Sequence, residues 1–189
     1  MMNDHTERRK ELFAHFEQCV KAQFSFLNEM YKRVDNDSIG QCVTYASNGV
    51  EVSIYYERVS FEIYLTILKS RSLYGKIYID EILPDNVIRK FCFATDEKTL
   101  ENAVKELKTF LVEYGNPFIN GDISAFEHIM RRRKKQSDKY NLEVIEKRAV
   151  EAWRSRHYAE VIALYRSIEK ELTPIQKKRL SLCEKRVNG

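Results

Sequence analysis

The stretch QCVTYASNGVEVSIYYERVSFEIYLTILKS, Gln41 to Ser70, decides the fold class. Asn48-Gly49 stands between two runs in which apolar and polar residues alternate. Both residues tolerate the positive φ angles of a two-residue hairpin, so the pair predicts a tight turn. Beyond it, Val50, Val52, Ile54 and Tyr56 share one face of a strand, and Glu51, Ser53 and Tyr55 share the other. After a second turn near Glu57 to Val59, Phe61, Ile63, Leu65 and Ile67 repeat the apolar face, opposite Glu62, Tyr64 and Thr66. The pattern is an antiparallel meander with one apolar and one mixed face. KIYIDEIL, Lys76 to Leu83, predicts a fourth strand, cut short by Pro84 because proline offers no N–H to a ladder.

Helical spacing flanks this region. Upstream, Leu12, Phe13, Phe16, Val20, Phe24, Leu27, Tyr31 and Val34 recur every three or four residues, with Asp4 or Thr6 as the N-cap. Aromatic crowding at Phe24 to Phe26 marks a break, and the polar run Asp35 to Gly40 ends the segment. Downstream, Leu100, Val104, Leu107 and Leu111 form one stripe, capped by Thr95 or Asp96 and followed by Gly115. A linker, Asn116 to Asp122, leads to a helix through Phe126, Ile129 and Met130. Residues from about 142 onward read as helices broken near Arg156-His157 and at Thr173-Pro174. The expected architecture is α+β: an antiparallel three- to four-stranded sheet flanked by helices in residues 1–121, then a helical, repeat-like region in residues 122–189 packed on it.

A chain of 189 residues buries enough surface to fold without disulfides or metal. Cys19, Cys42, Cys92 and Cys183 show no CxxC spacing and sit in apolar-periodic stretches, so buried, reduced thiols are expected. The first residues, MMNDHTERRKELF, lack the apolar core of a signal peptide. No run reaches the roughly 20 apolar residues of a membrane span. A cytoplasmic location and no membrane partner follow as expectations. Residues 1–120 carry 15 Lys and Arg against 18 Asp and Glu, a net of −3, whereas residues 121–189 carry 17 against 10, a net of +7. The two parts present different surfaces.

The segment HYAEVIALYRSIEKELTP, His157 to Pro174, resembles a tetratricopeptide repeat. Tyr158, Tyr165 and Pro174 fall close to that family's spacing, and Ala149 takes the small position on the preceding helix. The likeness covers about one unit, residues 142–175, plus a following helix. Val161 and Ile168 stand where the repeat prefers alanine, and Arg156 where a turn glycine is usual. One unit cannot form the peptide groove of a repeat array, which needs about three. The likeness implies a repeat-like hairpin docked on the N-terminal domain, with Trp153, Tyr158 and Tyr165 in the core.

FSFLNEMYKRV, CVTYASNGVEVSIYYERVSFEIYLTI, FLVEYGNPFINGDISAF and the AW…HY…VIALY…LTP…RL tail give the whole chain a second likeness. It resembles small bacterial proteins, some of which are immunity proteins that block secreted toxins. The likeness implies an αβ domain with a helical tail and assigns no site residues.

Catalytic and cofactor motifs are not read. No two of His5, His15, His128 and His157 stand three or four apart, and neither GxxxxGK[ST], GxGxxG nor GxSxG occurs, so no metal ligand set and no cofactor are expected. His15 and Cys19, one helical turn apart, can touch, but no Asn or Asp stands ready to orient the imidazole. Two binding surfaces remain. Glu51, Tyr55, Glu62, Tyr64 and Thr66 on the mixed sheet face form a tyrosine–carboxylate patch suited to a protein partner with a basic surface, such as a toxin domain. Arg131, Arg132, Arg133, Lys134 and Lys135, at the end of a helix, form the alternative, a phosphate-contacting surface for nucleic acid. The expected function is non-enzymatic protein binding, with toxin neutralisation by occlusion as its most concrete form.

Overall fold

The computed structural model describes residues 2–29, 32–34, 42–57, 59–70 and 73–188. In chain order the elements are α1 (Met2–Gln23), a 3₁₀ turn (Ser25–Glu29), β1 (Lys32–Val34), β2 (Cys42–Ser47), β3 (Val50–Tyr56), β4 (Ile63–Lys69), β5 (Lys76–Tyr78), α2 (Ile79–Ile82), α3 (Glu97–Tyr114), α4 (Asn116–Ile119), α5 (Ile123–Arg154), α6 (Tyr158–Ser167), a second 3₁₀ turn (Glu169–Glu171) and α7 (Pro174–Asn188). They form two compact units, Met1–Met130 and Arg131–Gly189. The fold is α+β, as the alternating stretch predicts.

In the first unit the five strands pair in sequence order, each antiparallel to the next. Asn48 and Gly49 take φ of 49° and 75°, and Ser47 pairs directly with Val50 across this two-residue turn. That register fixes the faces. Val43, Tyr45, Val50, Val52, Ile54, Tyr56, Ile63, Leu65, Ile67 and Ile77 are buried on one side. There they share a core with Phe16 and Val20 of α1 and with Leu100, Val104, Leu107 and Leu111 of α3. Asp96 caps α3: its carboxylate accepts from the Thr99 N–H at 2.8 Å, and the Thr99 hydroxyl accepts from the Asp96 N–H at 3.2 Å.

Several elements differ from the sequence reading. Leu12, Phe16 and Val20 of the predicted stripe are buried along α1, but α1 stops at Gln23 and Val34 lies in a strand. Phe24 and Leu27 are still buried, now from a tighter turn. Aromatic bulk on both faces at Phe24 and Phe26 ends the regular helix, and the two rings stack 6.1 Å apart. Asp4 and Thr6 lie inside α1, which begins at Met2. Tyr31 and residues 35–41 lie outside the described residues. KIYIDEIL is a strand only to Tyr78. Asp80 and Glu81 then favour the N-terminal turn of α2, and the Glu81 carboxylate accepts the Tyr78 N–H at 2.8 Å.

In the second unit, Ala149, Ala152, Val161, Tyr165, Leu172, Leu180 and Cys183 form a core of their own, with Trp153, Tyr158 and Ile162 packed against it. The chain turns from α5 to α6 at Arg156, whose φ is 62°. An arginine therefore holds a left-handed conformation that glycine adopts more readily. The apolar run to Leu172 is not one helix: α6 ends at Ser167 and a 3₁₀ turn completes it. Thr173 and Gln176 then build a capping box. The Gln176 carboxamide oxygen accepts the Thr173 N–H at 2.7 Å, with Pro174 at the first helical position of α7.

Candidate functional site

The face of the sheet opposite the core carries the tyrosine–carboxylate patch. Its rows follow from the register: Cys42, Tyr55 and Tyr64 pair across β2, β3 and β4; Thr44, Ser53, Thr66 and Tyr78 across β2 to β5; Ala46, Glu51, Leu68 and Lys76 likewise. Tyr55 and Tyr64 stack with centroids 4.8 Å apart and planes 15° apart, and Tyr64 meets Tyr78 at 5.8 Å. The Lys76 ammonium donates to the Tyr55 hydroxyl at 3.0 Å and stands 5.1 Å from the centre of that ring. The Tyr64 hydroxyl donates to Glu57 Oε1 at 3.1 Å. Burial, with this bond to a carboxylate, pushes the Tyr64 phenol well above its ordinary range. The hydrogen bond to Tyr55 raises the Lys76 ammonium, partly offset by burial. Three rings from three strands thus form a row in which hydrogen bonds fix Tyr55 and Tyr64, and ring contact with Tyr64 places Tyr78.

The five residues read from the sequence share this face, but not equally. Tyr55 and Tyr64 are directly paired and partly exposed. Glu51 is partly exposed two residues along β3 and accepts from the Ser70 hydroxyl at 3.4 Å. Glu62 lies beyond Tyr64, bridged to Phe93. Thr66 is only 2% exposed and, with Thr44 and Ser53, forms a buried polar row in which the latter two hydroxyls bond at 2.9 Å. It supports the surface rather than offering it. Sequence reading missed Tyr78, which is 45% exposed, together with Lys76 and Glu57. Tyr78 was legible as a strand residue but not as a neighbour of Tyr64, because only the β4–β5 register places them together.

The basic run is corrected. Arg131 to Lys135 occupy the interior of the 32-residue α5, not a helix end. No Gly or Pro interrupts residues 123–154, and Arg, Lys, Gln and Glu are strong helix formers, so nothing stops the helix there. Five successive residues sweep about 400° around the axis. The five charges therefore point in all directions and do not form one stripe. Arg131, Lys134 and Lys135 are exposed, and Arg132 and Arg133 partly so.

Two further features lie in the first unit. A cleft of about 700 Å³ between residues 86–91 and α3 is lined by Val87, Ile88, Phe91, Lys105, Glu106 and Phe110 among others. Its outer wall is fixed by Glu106, whose two carboxylate oxygens accept the backbone N–H groups of Lys90 and Phe91 at 2.9 and 3.0 Å. Between α1 and α3, the ring nitrogen His15 Nε2 lies 3.4 Å from Cys19 Sγ and 3.2 Å from Glu101 Oε1. The touching pair read from the sequence thus gains a carboxylate from α3. A nucleophilic relay needs thiol and carboxylate on different ring nitrogens, and here both meet one. Burial, followed by the Glu101 and Glu97 carboxylates, pushes the Cys19 thiol up, away from the reactive thiolate. Of the other cysteines, Cys183 is buried, while Cys42 and Cys92, like Cys19, are partly exposed, so full burial holds only for Cys183.

No family model, no curated protein and no solved structure matches this chain. The site must therefore be read from its own geometry. Among the described residues, no helix is long and apolar enough to cross a membrane.

Proposed function

We propose that this is a non-enzymatic protein-binding protein whose contact surface is the Tyr55–Tyr64–Tyr78 face of the sheet. The observation that carries the reading is the tyrosine row itself, stacked at Tyr55–Tyr64 and tilted at Tyr64–Tyr78. Tyrosines held in place before binding give contact area at little further entropy cost, and each keeps a polar tip. Glu51, Glu57 and Glu62 against Lys76 leave the patch net negative. That balance steers a partner with a basic surface. Its most concrete form, in keeping with the resemblance to immunity proteins, is occlusion of a toxin's active site by this rigid face.

The test is binding to the product of a toxin-like reading frame adjacent to the gene, followed by calorimetry. Tyr78→Ala and Tyr64→Ala should each weaken binding by about 30-fold, the scale of an interface hot spot. Arg131→Gln with Lys135→Gln should leave it unchanged. Equal affinity in both tyrosine variants refutes the assigned face; failure of the wild type to bind removes the toxin reading.

The second reading, a nucleic-acid regulator using Arg131 to Lys135, rests on the exposed cations of α5 and the +7 balance of residues 121–189. It requires retention of mixed DNA or RNA at low salt with a steep loss as salt rises. No retention at low salt eliminates it.

A further inference from the structure

Three different metal-ligand donors converge between α1 and α3. His15 and Cys19 stand one turn apart on α1, and Glu101 reaches them from α3. The imidazole nitrogen, the thiol sulfur and a carboxylate oxygen all lie within 4.8 Å of one another. A tetrahedral zinc ion bound at about 2.0–2.3 Å separates its donors by about 3.3–3.8 Å. The N–O and N–S edges here, 3.2 and 3.4 Å, are already close to that length. Only the sulfur and carboxylate oxygen must adjust, and Glu101 has a side chain 60% exposed on a flexible stem.

The surroundings favour a cation. Glu97 stands one turn before Glu101 and acts electrostatically on Cys19. Glu11, one turn before His15, lines the same cleft as Glu97. Two carboxylates, Glu101 and Glu97, therefore act on the thiol, and Glu11, Asp96 and Glu97 outnumber Lys98 on the lining of the cleft. A mixed N, S, O donor set suits zinc and cobalt. Magnesium and calcium prefer oxygen alone.

We propose that His15, Cys19 and Glu101 bind one zinc-class divalent cation that ties α1 to α3, with water in the fourth position. On binding, the thiol proton leaves to solvent and the sulfur ligates as thiolate. The site clips together the two helices that cover the apolar face of the sheet, so metal bound there stabilises the folded state. At free metal about 100 times the dissociation constant, the folded-to-unfolded ratio rises about 100-fold.

The experiment uses the full chain, stripped of metal by a chelator and titrated with Co(II), then Zn(II). One equivalent of Co(II) should give a thiolate-to-metal charge-transfer band and the visible bands of four-coordinate cobalt, both removed by one equivalent of Zn(II). Cys19→Ala should abolish the charge-transfer band, and Glu101→Gln should weaken binding at least about 10-fold. A Cys42→Ser/Cys92→Ser/Cys183→Ser triple variant should keep both signals. Zn(II) should raise the melting temperature of the wild type and not of Glu101→Gln. Absence of a stoichiometric cobalt spectrum in protein folded by circular dichroism overturns the proposal. So does retention of the band in Cys19→Ala, its loss in the triple variant, or unchanged binding in Glu101→Gln. Glu101 is exposed, so that variant remains informative if Cys19→Ala fails to fold.

Discussion

Arg89 offers the sharpest test of how the first unit is held together. Its side chain is 3% exposed. Beside the start of β4, where β5 does not reach, Ile63 donates its N–H to the Cys92 carbonyl at 2.8 Å and receives Arg89 Nη2 on its own carbonyl at 2.5 Å. The guanidinium also reaches the Phe91 carbonyl at 3.3 Å and Asp80 at 3.3 Å. Arg89 thus closes a sheet edge that no strand covers and anchors the segment that walls the cleft. In Arg89→Ala, leaving the Ile63 carbonyl unpaired costs about 1–3 kcal/mol. Losing the packed alkyl stem adds about 1–2 kcal/mol. The ion pair adds at most about 1 kcal/mol, because the Asp80 side chain is 52% exposed. Relief of a buried guanidinium whose Nε has no partner among the described residues works in the opposite direction. The expected net loss is about 2–4 kcal/mol for Arg89→Ala. Arg89→Met, which keeps the stem, should lose about 1–2 kcal/mol, and Asp80→Asn less than about 1 kcal/mol. Urea unfolding followed by far-ultraviolet circular dichroism reads this as a lower midpoint at constant slope. A loss below about 0.5 kcal/mol in Arg89→Ala refutes the edge-closing role. A loss in Asp80→Asn equal to that in Arg89→Ala moves the weight to the ion pair.

Three further outcomes are expected. Trp153 lies edge-on to Tyr158 at 5.7 Å and within 6.0 Å of the Arg179 and Arg186 guanidinium carbons, and is partly exposed. Trp153→Ala should therefore lose about 2–3 kcal/mol, below the range of a fully buried indole, and less than about 1 kcal/mol in chemical unfolding contradicts its packing. Gly115→Ala should lower the melting temperature, because a Cβ there would stand 2.4 Å from Leu111 Cδ1 and 2.5 Å from the Leu111 carbonyl oxygen; an unchanged or higher value rejects this steric account. The Tyr64 phenol is raised in the folded state above its ordinary value near 10.0. Its contribution is complete below that value and is lost as pH rises towards the higher folded pKa, since the unfolded chain releases the proton first. Stability of the wild type should thus fall more steeply with rising alkaline pH than that of Tyr64→Phe, and parallel curves refute a phenol held protonated by burial and by the Glu57 bond.

Local chemistry made the sheet legible. Asn48-Gly49 suits a hairpin turn, and period-two alternation then commits Val50, Val52, Ile54 and Tyr56, with Ile63, Leu65 and Ile67, to one face. The same logic recovered Asp96 as a cap and Tyr55 beside Tyr64 on the mixed face. It failed where position depends on a distant partner. Gly115 does follow the last turn of α3, as its position predicts, but its φ is −82°, an ordinary helical value. What excludes a side chain there is the close approach of Leu111. Arg131 to Lys135 suit a helix end, where cations meet unpaired carbonyls, whereas an uninterrupted series of helix formers carries α5 straight through.

The sequence by itself determined the alternation, the turns, the caps and the amphipathic stripes, since each depends on residues within one turn or one hairpin. The tertiary structure alone decided that Tyr78 joins Tyr64, that Glu101 meets His15 and Cys19 across 86 and 82 positions of chain, and that Arg89 closes the β4 edge. Such meetings depend on strand register and helix packing. These are fixed by burial of the whole apolar face, a collective quantity that no short segment carries.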